Sequence, residues 1–185
     1  PAPVIAHVEG AYVQICEAAD VETTSGDSAK LERLVSEKLK DKKNGPKIPK
    51  ELRKVRAVCD FQFGMGANEH LFEGPPVVKG FQVYDEKEKL VATIDRSSGF
   101  LALSLRGAER LSSFGRYIVE VSFNPETNSI FCSGIEGADP LIRPWDETIV
   151  KYRGEVVGVG KAVLSGEEME RAKKGLGVTL RHRRR

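Results

Sequence analysis

The chain has 185 residues, of which 40% are hydrophobic and 30% are charged, and its formal net charge is +2. This length can hold one large domain or two to three small ones, and the apolar content excludes a chain that is disordered throughout. No run of 18 apolar residues occurs and the first ten residues lack the regions of a secretory signal, so neither a transmembrane helix nor a signal peptide is expected.

The charge is segregated along the chain. Residues 1–29 have a net charge of −5, residues 30–56 of +7, residues 57–150 of −6 and residues 151–185 of +6. Two basic blocks in an otherwise acidic chain indicate a polyanion-binding face. For residues 30–56 the solvated side of a Lys/Glu-rich helix is the favoured interpretation.

The three cysteines, Cys16, Cys59 and Cys132, are far apart and odd in number. This pattern argues against a disulfide framework and against a Cys-x-x-Cys zinc site, and it favours buried thiols in a reducing cytoplasm. We predict no metal and no cofactor. Asparagine and glutamine are scarce while Lys, Arg and Glu are plentiful, which points to a thermophile.

Taken in chain order, the first region, residues 1–50, has mixed signals. Residues 4–8 alternate like a strand, and residues 27–43 have the apolar stripe of an amphipathic helix, with Ser28 as its cap. We predict an N-terminal α/β region of unknown type.

The second region, residues 51–114, combines helices with a small sheet. Residues 53–63 and 67–72 read as helical, and residues 107–112 as a helical connection. After Gly74-Pro75-Pro76 the apolar period changes to two, which predicts three antiparallel strands around residues 81–83, 90–94 and 101–105. We predict an α+β domain.

The third region, residues 115–185, is dominated by strands. They are predicted at residues 117–123, at 130–135, in a hairpin of 148–152 with 155–164 turned at Gly154, and from residue 176 onward. Ser165 and Glu168 have the spacing of a capping box, and the helix they open is predicted to end with Lys173, Lys174 and Gly175. So many short strands favour a closed or nearly closed barrel.

The motifs IRPWDETIV, EVVGVGKAVLSGEEM and KKGLGVTLR make residues 116–185 resemble a PUA domain, a pseudobarrel found on RNA-modifying enzymes and translation proteins. The preceding motifs RKVRAVCDFQFGMGANEHLF and LVATIDRSSGFLALSLRGAERL are similar to the domain just before the PUA module in archaeosine tRNA-guanine transglycosylases. One departure is Trp145, where the family tends to have glycine in the sequence RPGDE.

The resemblance implies an archaeal α+β protein in which a pre-PUA domain at 51–114 is followed by a PUA pseudobarrel at 115–185. It implies RNA binding, with tRNA the natural ligand, but not base exchange. The family's catalytic aspartates and zinc-binding cysteines lie on a large TIM barrel, for which 185 residues leave no room. We therefore predict no catalytic residue. The alternative is a protein-interaction module that docks to a ribosomal subunit or to a separate tRNA-modifying enzyme. No membrane contact is expected.

In PUA domains RNA is held at the short helix, the strand after it and the last strands. The resemblance therefore implies sixteen RNA-binding residues, and these are Asn128, Ser129, Phe131, Ser133, Gly134, Trp145, Gly158, Gly160, Lys161, Lys173, Lys174, Arg181, His182, Arg183, Arg184 and Arg185. Phe131, Trp145 and Tyr152 could stack on unpaired bases, although Phe131 also suits a core.

Two points stay open at the level of sequence. Gly158 and Gly160 either let a nucleotide backbone come close or make room for the barrel's own packing. Lys161 has the parity of core residues, so either a bulge turns it outward or it lies at the mouth of the barrel.

An enzyme is the competing hypothesis. Glu69 and His70 near Asp60 could form an acid–base cluster. The chain has no phosphate loop, nucleophile or metal-ligand spacing that would complete such a site. A structural role is the favoured interpretation of His70.

Overall fold

The computed structural model describes residues 5–6, 22–23, 29, 33 and 49–184. The chain divides into two compact units, Pro1–Lys47 and Ile48–Arg185. In the first unit, strand β1 (Ile5–Ala6) pairs in parallel with strand β2 (Glu22–Thr23).

Part of the predicted N-terminal structure falls on described residues. Within the predicted helix at 27–43, Ala29 and Arg33 are helical. The other positions of that helix, including its cap Ser28, lie outside the described residues.

The second unit begins with helices and a four-stranded antiparallel sheet in the order β3-β4-β5-β6. Its elements are α1 (Lys50–Phe63), α2 (Ala67–Leu71), β3 (Val77–Lys79), β4 (Gln82–Tyr84), β5 (Leu90–Ile94), β6 (Leu101–Leu103) and α3 (Leu105–Leu111), followed by a 3-10 turn, Ser112–Phe114.

The predicted count of three strands in this region is wrong. Strand β3 was missed because it has only three residues directly after the two prolines, too few to show an alternating pattern. Leu105, predicted at the end of a strand, instead begins α3, because the hydroxyl of Ser104 caps the helix by accepting from the Gly107 amide at 3.1 Å.

Helix α1 packs one stripe against the sheet. Val55, Cys59 and Phe63 recur every four residues and are all buried, as helical periodicity requires. Burial, with Asp60 adding to it, raises the pKa of the Cys59 thiol to about 12, so this cysteine stays protonated and unreactive. Cys132 is also a free, buried thiol.

The rest of the second unit is a six-stranded sheet in the order β8-β12-β11-β10-β7-β9. Its strands are β7 (Ile118–Val121), β8 (Ser129–Phe131), β9 (Ile135–Ala138), β10 (Glu147–Tyr152), β11 (Glu155–Ala162) and β12 (Leu176–Arg183). The two edge strands, β8 and β9, are joined by the 3-10 turn Cys132–Gly134 alone, which closes the sheet on itself. The predicted α+β fold with a pseudobarrel is confirmed.

The prediction of a single strand at residues 130–135 is wrong. The structure has two strands there, because the 3-10 turn interrupts the extended chain after Phe131. The predicted capping box is present, and helix α4 (Gly166–Arg171) begins after Ser165. That helix ends at Arg171, so Lys173 and Lys174 lie beyond its last turn rather than against its dipole.

Strands β10 and β11 are buried on both sides. Ile149, Val156 and Val159 join the core that α1, α3 and the four-stranded sheet share, whereas the barrel core receives other residues of these strands, such as Val150 and Val157. The helix-bearing layer and the barrel therefore share a core. Every helix in the described part of the chain is too short or too polar to cross a bilayer.

Candidate functional site

The antiparallel pair of β8 and β12, here called the β8–β12 ribbon, presents an exposed face. Phe131 lies opposite Leu176, and Ser129 lies opposite Thr179. Ser129, Phe131 and Thr179 are exposed, with Phe131 at 54%. The ribbon therefore offers hydroxyl groups and an aromatic ring on one open strip of surface.

Basic residues lie at both ends of the β8–β12 ribbon. Lys173 and Lys174 precede β12 at the Phe131 end, and His182 and Arg183 are the last residues of β12 at the other. At a strand rise of about 3.3 Å per residue, the eight residues of β12 extend over roughly 25 Å. Among the described residues none of these four side chains forms a salt bridge.

Two other arginines predicted to bind RNA, Arg181 and Arg184, do form salt bridges. Arg184 pairs with Glu109 and lies 3.4 Å from a Glu155 carboxylate oxygen. Arg185 lies outside the described residues. The guanidinium of Arg181 is turned inward, where it makes a two-pronged ion pair with the buried carboxylate of Glu147 and donates to the Leu103 carbonyl at 2.8 Å.

The glycines serve the protein's own packing. Gly158 and Gly160 are buried, and a Cβ on Gly160 would lie 2.1 Å from the Thr179 carbonyl oxygen. A Cβ on Gly158 would meet the Leu180 side chain at 2.9 Å. At Gly134 the missing side chain leaves room for a neighbouring phenylalanine ring. The predicted approach of a nucleotide to Gly158 and Gly160 is therefore blocked by strand β12.

Lys161 is half-buried beside the ion pair, with its ammonium 3.8 Å from a Glu147 carboxylate oxygen. The register between β11 and β12 shifts between Val159 and Gly160, immediately before this lysine. The extra residue at this shift is Arg181 of β12, since Val159 pairs with His182 and Gly160 pairs with Leu180. The alternation of β11 is therefore unchanged, and Lys161 keeps the face of Val159 but lines a groove rather than the closed core.

That groove, here called the junction groove, follows the boundary between the four-stranded sheet and the barrel. It consists of three cavities of about 590, 310 and 540 Å³. The first two share Asp95 and Lys161, and the last two share Leu90, Ser104, Arg181 and His182. Asn128 and Arg183 line the third cavity, so the groove meets the β8–β12 ribbon at its Arg183 end.

Aromatic rings line the opposite end of the junction groove. Phe61, Phe100, Tyr117 and Trp145 all border the largest cavity. Phe61 is 80% exposed, and its ring stacks on that of Phe100 with 6.1 Å between centroids. We call this end the aromatic cleft.

Trp145 occupies the third position of a tight turn. The Asp146 amide donates to the Arg143 carbonyl at 3.1 Å, and Pro144 precedes Trp145. Trp145 has φ +74°, the value that a type II turn requires at this position and that glycine adopts without strain. The turn at which the resemblance leads us to expect glycine is thus formed here with a tryptophan, whose side chain is 77% exposed.

Tyr117 is a second aromatic residue with a left-handed backbone, at φ +57°. Its amide donates to an Asp139 carboxylate oxygen at 2.7 Å, and its carbonyl accepts from the Ile149 amide at 2.8 Å. Burial, followed by Asp146 and Asp139, raises the pKa of the Tyr117 hydroxyl. The hydroxyl is therefore neutral and can donate a hydrogen bond.

The hypothetical acid–base cluster is not assembled. Asp60 accepts from the amide and side chain of Asn68, at 2.9 and 2.7 Å, and so fixes the start of α2. The His70 ring lies 2.8 Å from the Ser113 hydroxyl and packs against Phe114. Within residues 49–184 and the shorter described segments, no group of three His, Cys, Asp or Glu residues could hold a metal ion.

Of the predicted residues, Trp145 and Lys161 belong to the aromatic cleft, whereas Phe131, Ser133, Lys173 and Lys174 lie at the far end of the ribbon. Sequence reasoning missed Phe61, Phe100 and Tyr117. The paired phenylalanines of DFQFG and the glycine-phenylalanine of SSGFL were the available signal. Tyr152, the third stacking candidate, is half-buried under the Arg153 guanidinium.

Two known protein families match successive parts of the second unit. Residues 120–183 match the PUA domain, and residues 53–117 match the patch-forming domain C2 of tRNA-guanine transglycosylase. The chain is 37% identical to archaeosine synthase subunit alpha of Methanosarcina acetivorans, a match that covers 97% of this chain and 32% of that protein. It is 33% identical to the tRNA-guanine(15) transglycosylase of Thermoplasma volcanium, covering 70% of this chain and 23% of that protein.

Among solved structures, a crystal structure of a protein of unknown function matches with a TM-score of 0.61 and 26% identity, and covers 98% of this chain and 67% of that one. The chain spans about a third of the length of the first curated relatives it matches.

Proposed function

Since the chain carries a PUA domain preceded by a C2 domain of the tRNA-guanine transglycosylase type, we propose that it binds structured RNA, and tRNA in particular, and that it does so in support of tRNA modification. The chain supplies recognition of the RNA and leaves the chemistry on the base to another part of a longer protein or to a separate chain. We expect it to act in the cytoplasm.

The observation that carries this proposal is the β8–β12 ribbon. Its exposed strip of Ser129, Phe131 and Thr179 is flanked at both ends by cations that form no salt bridge with described residues. A phosphate backbone needs cations spaced along an open path, and hydroxyl groups along that path add hydrogen bonds to phosphate and sugar. A span of roughly 25 Å along β12 covers several consecutive phosphates.

The relatives favour tRNA as the RNA. One is named a tRNA-guanine(15) transglycosylase, and another is named as a subunit of archaeosine synthase. Because both are far longer than this chain, the region they share with it suits a module that holds the tRNA while a catalytic region works elsewhere. A tRNA-modifying enzyme is thus the partner we propose, and docking to a ribosomal subunit is the less favoured alternative.

A filter-binding titration of the chain with unmodified tRNA, repeated over a series of salt concentrations, tests the proposal. Neutralisation of Z phosphates gives a plot of log K against log salt with a slope of about −0.9Z on duplex regions, so several contacts predict a steep negative slope. Folded protein that shows no tRNA binding at low salt contradicts the proposal.

A protein-docking role has a different signature. Pull-down of partners from native extract before and after nuclease treatment separates the two, because RNA-bridged partners are lost with the RNA. Retention of a ribosomal subunit after nuclease treatment, together with an absence of tRNA binding, contradicts RNA recognition as the main role.

A further inference from the structure

We infer that the aromatic cleft receives a single unpaired nucleobase of the RNA that the chain binds. This inference rests on the proposed function and gives the bound RNA a defined feature, an unstacked nucleotide. The occupant is planar, apolar on its faces and linked to a phosphate, and each of these properties has a counterpart among the residues of the cleft.

The faces of a base find aromatic surface on two sides of the cleft. Phe61 and Phe100 form a stacked pair on the side of α1 and the four-stranded sheet, and Trp145 lies on the side of the barrel. Exposure of Phe61 at 80% and Trp145 at 77% leaves a large apolar area in water. Bases that leave their own stack recover stacking energy on such rings, which is how single-stranded RNA is usually held.

The backbone strain of the cleft supports a ligand-binding role. Trp145 and Tyr117 both have a positive φ, and both line the same cavity. Elsewhere in residues 49–184, the non-glycine residues with positive φ are Glu88 and Arg153, and both lie in tight turns between strands. Strain of this kind clusters where a protein fixes side chains for binding, and most of the Trp145 side chain, 77% exposed, is not used in the protein's own packing.

The polar groups of the cleft fit a nucleotide. Lys161 supplies an ammonium group, and Arg143, whose guanidinium also donates to the Pro140 carbonyl at 2.7 Å, supplies a second cation. Three carboxylates also line the cleft, and each has a partner. Asp95 accepts from Ser97 at 2.6 Å, Asp146 accepts from the Arg143 amide at 2.7 Å, and Glu147 is paired with Arg181. The neutral hydroxyl of Tyr117 can donate to the edge of a base.

The position of the cleft connects it to the proposed RNA path. The junction groove runs from the aromatic cleft past Lys161 to His182 and Arg183, where the β8–β12 ribbon ends. A strand that lies along the ribbon can therefore continue into the groove and place one base in the cleft. A protein ligand that occupied the aromatic cleft would not need a groove leading to these basic residues.

Trp145 is the only tryptophan in the chain, so its fluorescence reports on the cleft directly. The experiment titrates the chain with single-stranded RNA tetramers, one each of A, C, G and U. Stacking of a base on the indole is expected to quench its emission in a saturable way for one or more of the tetramers. A duplex without unpaired bases is expected to leave the emission unchanged at the same concentrations.

Two variants make the test specific. Phe61→Ala removes an exposed ring without touching the core, and it is expected to weaken tetramer binding about ten-fold. Phe81→Ala removes another partly exposed ring, which does not line the cleft, and it is expected to bind as the wild type does. Circular dichroism confirms that each variant is folded.

The outcomes separate this inference from the proposed function. If tRNA binds but no tetramer changes the emission, or if Phe61→Ala binds tetramers as tightly as the wild type, the inference is wrong while the proposed function stands. If tetramers quench in a Phe61-dependent way but tRNA does not bind, the cleft is confirmed and the choice of tRNA is wrong.

Discussion

Glu147 and Arg181 form a two-pronged ion pair that binds both backbone groups of Leu103. The carboxylate of Glu147, which is fully buried, accepts from the Leu103 amide at 2.8 Å, and the Arg181 guanidinium donates to the Leu103 carbonyl at 2.8 Å. Leu103 is the last residue of β6, an edge strand of the four-stranded sheet. The pair therefore occupies the place that a further strand would take and fastens the barrel to that edge.

This pair makes Arg181 a structural residue. Replacing Arg181 with alanine leaves the buried Glu147 carboxylate with only the Lys161 ammonium, 3.8 Å away, and the Leu103 amide, so we expect the free energy of unfolding to fall by about 2 kcal/mol. Urea denaturation measures it. Arg183→Ala is the matched control on the same strand. It should change stability little but lower the salt slope of tRNA binding by up to about one unit. Equal stability of the two variants contradicts the assignment.

A second prediction concerns acid stability through Asp85, which is buried. Burial opposes its ionisation, but hydrogen bonds from the Lys89 amide, Arg106 and the Lys87 amide outweigh burial and lower the pKa of this carboxyl. A lowered folded pKa adds stability above the unfolded value of about 3.9, and this stability is lost as the pH falls through the folded pKa.

For Asp85→Asn we expect a loss of about 2 kcal/mol at neutral pH, and a smaller further loss than the wild type shows on acidification to about pH 3. Unfolding curves at the two pH values measure both effects. Parallel losses in the two proteins on acidification would show that Asp85 does not contribute to the pH dependence.

The substitution Trp145→Gly tests whether the strained turn lowers the stability of the fold while its tryptophan strengthens RNA binding. Glycine adopts φ +74° without steric strain, so we expect the variant to be more stable by about 1 kcal/mol. We also expect it to bind RNA tetramers about ten-fold more weakly, because a stacking surface is gone. Fluorescence anisotropy with labelled tetramers replaces the lost tryptophan signal. A variant that is less stable and binds equally well contradicts both expectations.

The lysines at the start of β12 test the proposed RNA path. The double replacement of Lys173 and Lys174 by alanine should weaken tRNA binding for all sequences alike and reduce the salt slope by up to about two units. The double replacement of Lys54 and Lys79, which lie outside the barrel, removes the same charge and should leave the slope unchanged. Identical slopes in the two variants would place the RNA elsewhere.

The helix and strand pattern of the second unit could be predicted because its signals are local. The four-residue spacing of Val55, Cys59 and Phe63 and the capping box at Ser165 depend only on neighbours in sequence. Strand β3 and the 3-10 turn at Cys132 could not be predicted in this way. Each has three residues, and tertiary pairing rather than local preference determines its conformation.

The candidate site was predicted only in part, for a physical reason. Arg181 reads as a basic residue on an exposed strand face, and nothing in its neighbourhood reveals that Glu147, 34 positions earlier, is its partner. The aromatic cleft brings Phe61 together with Trp145 from two separate domains. A pocket between domains leaves no pattern in either segment alone. The tryptophan at position 145, where the resemblance leads us to expect glycine, was nevertheless a usable signal.

The most direct test of RNA binding along the ribbon and groove is photocrosslinking of tRNA that contains 4-thiouridine, followed by mass spectrometry of the crosslinked peptides. We predict crosslinks within the β8–β12 ribbon and the aromatic cleft, at Phe131, His182, Phe61 or Trp145. Crosslinks confined to the hairpin of β3 and β4, or to residues 1–47, would contradict the account.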